Sequence, residues 1–411
     1  MLKLFWPNLH KAAWFLFALV LPWQTKLIIR SAESNYWEIS IFLATFIFFL
    51  VAIIFFFLRK EKFSKASKWF LIFSAIILVT SIISSFFSLD PYLAFYRSFL
   101  FLLSLFSFYC LWQLPKKWQH QLLWVFLISL AVQAAIGLFQ FFTQSSFSST
   151  ILGLAYHGAG EVGVSVIEIS SGRWLRTYGA SDHPNIFGGM MAIAALLSAY
   201  LWKKTEKSIE RRALLFLFLL FIGALIISFS RAAYLAFSLA FLVFLIENIK
   251  AWRRLSFLAL SALLLSSIFF YQYSELFISR LDGHRRLEQI SIEERSYFNQ
   301  KAWHSWQNNF WLGVGLSNST LLDKKNDELL NKEQAIWAYQ PAHNYWLLAA
   351  LEGGIFFVLS LLFLWLFFYK KSRSHRFTAI FIVFFVLSLF DHWLFTLPLG
   401  SFWFFFVLAL I

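Results

Sequence analysis

Apolar runs dominate the chain, and their lengths define its elements. A helix that crosses a membrane needs about 20 predominantly apolar residues. Runs of that order lie near 10–29, 39–58, 69–88, 97–114, 119–142, 185–202, 212–229, 231–248, 254–273, 343–369, 377–395 and 398–411. They predict an all-α polytopic membrane protein with about twelve transmembrane helices. The last run is short, so eleven spans is the alternative. Two long polar intervals, 143–184 and 274–342, interrupt what otherwise reads as a single multi-pass domain over 1–411. In the first, the alternation Val162, Val164, Val166, followed by Ile167 and Ile169, predicts a short extended or hairpin element. Gly158, Gly160 and Gly163 loosen it. In the second, Ser291 with Glu294 has capping-box spacing and predicts a helix from Ile292. Trp303, Trp306, Phe310 and Trp311 give that helix the character of one lying at a membrane surface, and anchoring is their simplest role. Gly313 and Gly315 end it, and Pro341 opens the approach to the next span.

Composition strengthens the reading. Hydrophobic residues make up 60% of 411 positions and charged residues 14%, a balance that would leave a soluble domain with one continuous apolar surface. With 54 Phe and 19 Trp, the lipid-facing surface and interfacial belts are aromatic. The net charge of +14 would suggest nucleic acid in a soluble protein, but here the basic residues act as topology signals, and no nucleic-acid partner is expected. Arg59, Lys60, Lys62, Lys65 and Lys68 share one connection. Lys116 and Lys117, then Lys203, Lys204, Lys207, Arg211 and Arg212, then Lys250, Arg253 and Arg254, then Lys370, Lys371, Arg373 and Arg376 fill others. These connections alternate, as they would if all faced the cytoplasm. The N-terminus is then cytoplasmic and both long loops are extracytoplasmic. No small-residue cleavage pattern follows the first run, so it reads as a retained anchor. A single cysteine, Cys110, excludes an intrachain disulfide and a cysteine-based metal site.

Candidate chemistry gathers on the outer side. Arg176, Asp182, His183 and Asn185 crowd the mouth of a span that opens with Gly188 and Gly189, reading equally as a cavity wall or a capped loop end. Arg231 sits in a turn of little more than Ser228–Ala232, where an arginine either has an anionic partner or snorkels to headgroups. Arg295 lies near the start of the amphipathic helix. His343 stands at the lip of a span beside Asn344, with Glu352, Gly353 and Gly354 further along, and a lone histidine there is usually a satisfied interfacial residue. Asp391 and His392 place polar groups where apolar ones would cost less.

In order, the chain carries R-T-Y-G-x-x-x-H-P-N at 176–185, S-R at 230–231, then Arg295 and W-x-x-W-x-N-N-x-W-L-G-V-G at 303–315. H-N-Y-W-L at 343–347 and E-G-G-I at 352–355 follow. This series resembles the O-antigen ligase-like superfamily, which includes O-antigen ligases, O-antigen polymerases and O-oligosaccharyltransferases. The resemblance covers nearly the whole chain. It implies a glycosyltransferase of the cytoplasmic (inner) membrane, working on a polyprenyl-pyrophosphate-linked glycan donor at the extracytoplasmic face. The acceptor would be a glycan or a lipid-linked hydroxyl. It implies that Arg231 and Arg295 engage the donor pyrophosphate and that His343 activates the acceptor. Arg176, His183 and Asn185 are carried over as supporting residues, beside Asn344, Asp391 and His392. The short last span and the long 143–184 loop depart from the family pattern and leave the acceptor open.

The residue types suit that chemistry. A lipid pyrophosphate gains charge as the glycosidic bond breaks, and a permanently charged bidentate guanidinium stabilises it. A histidine is a reasonable general base for a sugar hydroxyl near neutrality. The outer loops contain no D-x-D pair, so metal-independent transfer without a cofactor is expected; inversion at the anomeric carbon is implied by the family alone. A multi-pass transporter or flippase is the alternative, but there is no internal repeat and no pair of broken helices in the sequence pattern. A structural scaffold leaves Arg231 unexplained.

Overall fold

Each predicted apolar run contains a helix in the computed structural model, which describes residues 2–58, 68–282, 286–332, 334–374 and 377–410. Arg59, Lys60, Lys62, Lys65 and Arg376, used above for orientation, lie outside the described residues. The chain runs α1 (Leu2–Val20), β1 (Lys26–Arg30), β2 (Ile39–Phe42), α2 (Leu43–Leu58), α3 (Lys68–Phe86), α4 (Pro91–Trp112) and α5 (Lys116–Thr143). Next come β3 (Val166–Ile169), β4 (Gly172–Leu175), α6 (Pro184–Lys204), α7 (Ser208–Ile227), α8 (Arg231–Glu247) and α9 (Trp252–Gln272). The second long loop supplies α10 (Ser274–Leu281), α11 (Arg286–Asn308) and α12 (Ser319–Leu329). The chain continues through α13 (Tyr345–Ser374), α14 (Thr378–Phe390), α15 (Trp393–Thr396) and α16 (Pro398–Leu410). Helix accounts for 74% of the described residues, and the strands form two antiparallel hairpins. By length and composition, six helices can cross a membrane: α3, α4, α5, α6, the Ile249–Gln272 segment and α13. Four shorter apolar helices, Leu9–Val20, Leu43–Phe55, Thr378–Phe390 and Pro398–Leu410, accompany them.

Helix α6 is the axis of the protein. Every residue from Pro184 to Trp202 is buried, between α7, α8 and α14. Its small residues allow close approach, as expected of helices that meet by backbone packing in lipid. A Cβ on Gly188 would collide with the side chains of Ser228 and Ser230. By contrast, α9 exposes Phe257, Leu260, Leu263, Leu264 and Ile268 and lies at the edge.

Several expectations need correcting. The first helix stops at Val20, not near 29, because Pro22 follows and the apolar segment Lys26–Arg30 pairs as a strand with Ile39–Phe42. Ion pairs from Lys26 to Glu38 (2.5 Å) and from Arg30 to Asp90 (2.6 Å) fasten this hairpin. The second span likewise begins as strand and becomes helix at Leu43. Helix α11 begins at Arg286, leaving the Ser291 capping box in its interior. Tertiary ion pairs extend it upstream: Arg286 meets Glu168 at 2.6 Å, and Glu288, favourable in a first turn, meets two arginines. Helix α13 is opened by Asn344 rather than Pro341, the Asn344 Oδ1 accepting from the N–H groups of Trp346 and Leu347 at 3.0 Å each. The hairpin expected in 143–184 is present as β3–β4.

Helix α13 is broken. Gly354 has φ 76° and ψ −179°, a conformation open to glycine alone. The carbonyls freed upstream do not go unsatisfied. Val314 N–H donates to Leu351 O and Gly315 N–H to Glu352 O, both at 2.9 Å, while Ile355 N–H donates to Phe310 O at 3.0 Å. The loop after α11 thus repairs the break, which is how irregular backbone is accommodated at membrane depth.

Candidate functional site

The starts of α6, α8 and α13 and the end of α14 meet at one face. Asn185 Nδ2 lies 3.5 Å from Asp391 Oδ2, and Asn344 Nδ2 donates to Leu389 O at 3.2 Å. Helices that begin here end in basic connections: α6 in Lys203 and Lys204, α8 just before Lys250, α13 in Lys370, Lys371 and Arg373. The Asp391 and histidine cluster therefore lies at the opposite end of these helices from the basic connections.

Arg176 comes from the strand end of β4 and is buried. Its guanidinium is spent on structure: Nε and Nη2 donate to Ser228 O (3.1 and 3.0 Å), Nη2 also to Phe229 O and Asn185 Oδ1, and Nη1 to Ser165 Oγ. Those carbonyls belong to the α7–α8 turn, where Phe229 adopts φ 49°, a strained left-handed conformation for a bulky residue. Arg280 Nε donates to the same Phe229 carbonyl at 3.0 Å. Two buried guanidiniums thus hold the turn that presents Arg231 at the first position of α8, capped by Ser230. Arg231 meets Glu288 Oε2 at 3.0 Å, and no hydrogen bond or ion pair joins it to His343 among the described residues.

His343, Asp391 and His392 form the second half of the site. Their donor atoms lie within 4.8 Å of one another, and the two imidazole centroids are 5.2 Å apart. The nearby histidines differ in what their rings already do. His183 Nδ1 accepts from Asn185 N–H at 3.1 Å and caps α6. His392 Nδ1 is engaged with Thr396 Oγ1 at 2.8 Å. His343 Nδ1 is buried and has no hydrogen-bond partner among the described residues. Burial, then His392, depresses the His343 pKa to about 4 against the pull of Asp391, with Arg295 adding to the depression. Burial and Arg176 depress His183 to about 3, and burial lowers His392 as well. For Asp391 burial works against charge, yet His392, His343, His183 and Arg295 together hold it below the usual carboxylate value. At neutral pH the cluster is three neutral imidazoles around one carboxylate. Arg295, half-buried on α11, acts electrostatically on all four groups and on Arg280, and has no ion pair or hydrogen bond among the described residues.

The fold therefore unites Arg295, His343, His183, Asn185, Asp391 and His392, with Asn344 as a helix cap and Arg231 beside Arg280 and Glu288. The donor set of His343, Asp391 and His392 is close enough to hold a divalent cation, a grouping that the spacing of carboxylates along the chain does not reveal. The positive Arg295 beside it and the Thr396 bond to His392 Nδ1 both count against that use.

Sequence reasoning missed Arg97, Tyr36, Arg280 and Glu288. Arg97 Nη1 donates to Thr396 O at 3.1 Å and Nη2 to Tyr36 O at 3.4 Å, while the Tyr36 ring meets His392 edge-on at 6.0 Å. A charge inside an apolar run is itself a signal of function, and Arg97 carried it. Arg280 and Glu288 lay among many loop charges and carried none.

Residues 216–362 match the family model described as O-antigen ligase. The matched segment holds Arg231, Arg280, Glu288, Arg295 and His343 and excludes Arg176, His183, Asp391 and His392. No curated protein matches the chain. The family match supports the resemblance to the O-antigen ligase-like superfamily over that segment.

Proposed function

We propose that this protein is a membrane glycosyltransferase that moves a glycan from a polyprenyl-pyrophosphate donor to an acceptor hydroxyl at the outer face of the cytoplasmic membrane. The observation that carries the reading is His343: a neutral imidazole with an unpartnered buried Nδ1, next to an ionised Asp391 and within the field of Arg295. His343 Nδ1 takes the acceptor proton as the hydroxyl oxygen attacks the anomeric carbon of the donor sugar. The bond from that carbon to the phosphate oxygen breaks, and the polyprenyl diphosphate leaves with its electron pair. Arg231 and Arg295 stabilise the leaving diphosphate, and the Asp391 carboxylate stabilises the imidazolium that forms. Attack opposite the leaving group gives inversion. Fixed guanidiniums supply the positive charge that a divalent metal supplies elsewhere, so the reaction is metal-independent.

Reconstituted in liposomes with one polyprenyl-linked glycan and a panel of glycan and lipid-linked acceptors, the protein should transfer glycan at the same rate with and without EDTA. Absence of transfer to every acceptor sinks the reading, and loss of rate with EDTA assigns His343, Asp391 and His392 to a metal instead.

The basic ends of α6, α8 and α13 support a cytoplasmic N-terminus and twelve crossings, with the site outside. In a Cys110→Ser background, Val162→Cys, 97% exposed in the first long loop, should react from outside with an impermeant maleimide. Ser208→Cys should react only after the membrane is opened. The reverse order would put the site in the cytoplasm.

A further inference from the structure

Resting on the donor-binding reading above, we propose that Arg280 is a further donor-diphosphate ligand, and that Glu288 is an exchangeable anion occupying the Arg231–Arg280 site until the diphosphate displaces it. Glu288 lies in the first turn of α11 and is buried, with Oε1 bonded to Arg280 Nη1 and Oε2 against Arg231 Nη2 at 3.0 Å. The two halves of this bridge are unequal. Oε1 has its hydrogen bond, whereas Oε2 is buried without an aligned one, so the Arg231 contact is a charge pair only. A buried carboxylate oxygen left in that state is poorly satisfied, and a better acceptor can replace it.

The local charge points the same way. Arg176, Arg231 and Arg295 each interact electrostatically with Arg280, and Glu288 is the carboxylate that pairs with Arg231 and Arg280. Four guanidiniums against the Glu288 and Asp391 carboxylates leave an excess of positive charge that an esterified diphosphate, with two negative charges, would reduce. Arg176 has its donors committed to main-chain carbonyls and serves as a brace. Arg231, about a third exposed, is borne by the turn, and Arg280 of α10 is tied to the same Phe229 carbonyl as the brace, which holds the two side by side. Glu288 and Arg295 share α11, two helical turns apart, so movement of that helix which withdraws the carboxylate also repositions Arg295.

The test is binding of geranyl pyrophosphate to detergent-solubilised wild type, Glu288→Gln and Arg280→Gln, with thermal unfolding of each in its presence and absence. Glu288→Gln should bind about tenfold more tightly than wild type and gain the larger ligand-induced rise in melting temperature, although its unliganded form melts lower. Arg280→Gln should bind roughly 10- to 100-fold more weakly, the loss of one charge-assisted hydrogen bond. Arg280→Lys, which keeps the charge if the glutamine variant fails to fold, should recover part of that affinity. Binding to Glu288→Gln that equals or falls below wild type makes Glu288 a structural bridge and overturns the proposal. So does unaltered affinity in both Arg280 variants. If the wild type itself does not bind, the donor-site reading fails first.

Discussion

His343→Ala should lower glycan transfer by about 10²- to 10⁴-fold while leaving donor binding near the wild-type value. The reasoning is geometric before it is chemical. Three histidines reach this face, and two have Nδ1 committed, His183 to the cap of α6 and His392 to Thr396. His343 alone among them offers an unpartnered Nδ1 to an incoming hydroxyl. Because its pKa lies near 4, it is already unprotonated at physiological pH, so wild-type turnover should be flat between about pH 6 and 8. The sign is fixed: a depressed histidine pKa keeps the base form through neutrality, and activity falls only as pH drops towards about 4. A weakly basic imidazole is a weaker proton acceptor, and the neighbouring Asp391 carboxylate offsets this by stabilising the imidazolium that forms. Turnover and donor affinity measured across that pH range check both statements. Wild-type transfer by His343→Ala removes His343 from the chemistry, and a wild-type rate that halves near pH 6.5 overturns the depressed pKa.

The second large effect concerns folding. Gly354→Ala should reduce stability by about 2–6 kcal/mol, a large part of what a typical domain has. The backbone there is closed to other residues, and a Cβ would strike the Trp311 carbonyl oxygen across the repaired break. Displacing that segment would also break the bonds from Val314, Gly315 and Ile355, and would disturb Glu352, whose carboxylate accepts from Ser317 N–H and Ser319 Oγ at 2.7 Å each. Gly160→Ala is the control, since nothing lies within 4 Å of its added methyl. Monodisperse yield in detergent and thermal midpoint should separate the two variants clearly; if they behave alike, the break is adaptable and not a fixed element.

Much of this architecture was legible in the chain because lipid enforces a simple rule. Apolar length specifies helices, and the runs that became α3 to α9 were read nearly to their ends. The same rule misled where apolar residues are not in a helix. Leu27–Ile29 and Ile39–Phe42 add to the apolar runs in which they lie, yet their segments pair with each other as strands, and only partner choice in three dimensions distinguishes the cases. The outer histidines and Arg231 could be singled out because charge near a span end is costly. Glu288 could not, since its meaning depends on two arginines from other elements. The E-G-G-I stretch stood out only as one motif of the series; that Gly354 breaks α13 became visible only with the loop that caps the freed carbonyls.

The staple between the two ends of the chain sets the order of events during synthesis. Trp403 Nε1 donates to Leu21 O at 3.3 Å, and Phe402 and Phe406 pack on Phe17, so α16 completes the environment of α1. The candidate site is likewise drawn from Tyr36 through Thr396. A ribosome releases α1 into the bilayer first and α16 last, so α1 packs on α2 and α5 early and gains its α16 contacts only when nearly the whole chain is made. Until then the side of Phe17 that meets Phe402 and Phe406 lacks those partners, although Phe48 already covers another side. On the proposed reading, activity is thereby tied to completed biogenesis: a nascent or truncated chain lacking α14 to α16 lacks Asp391 and His392.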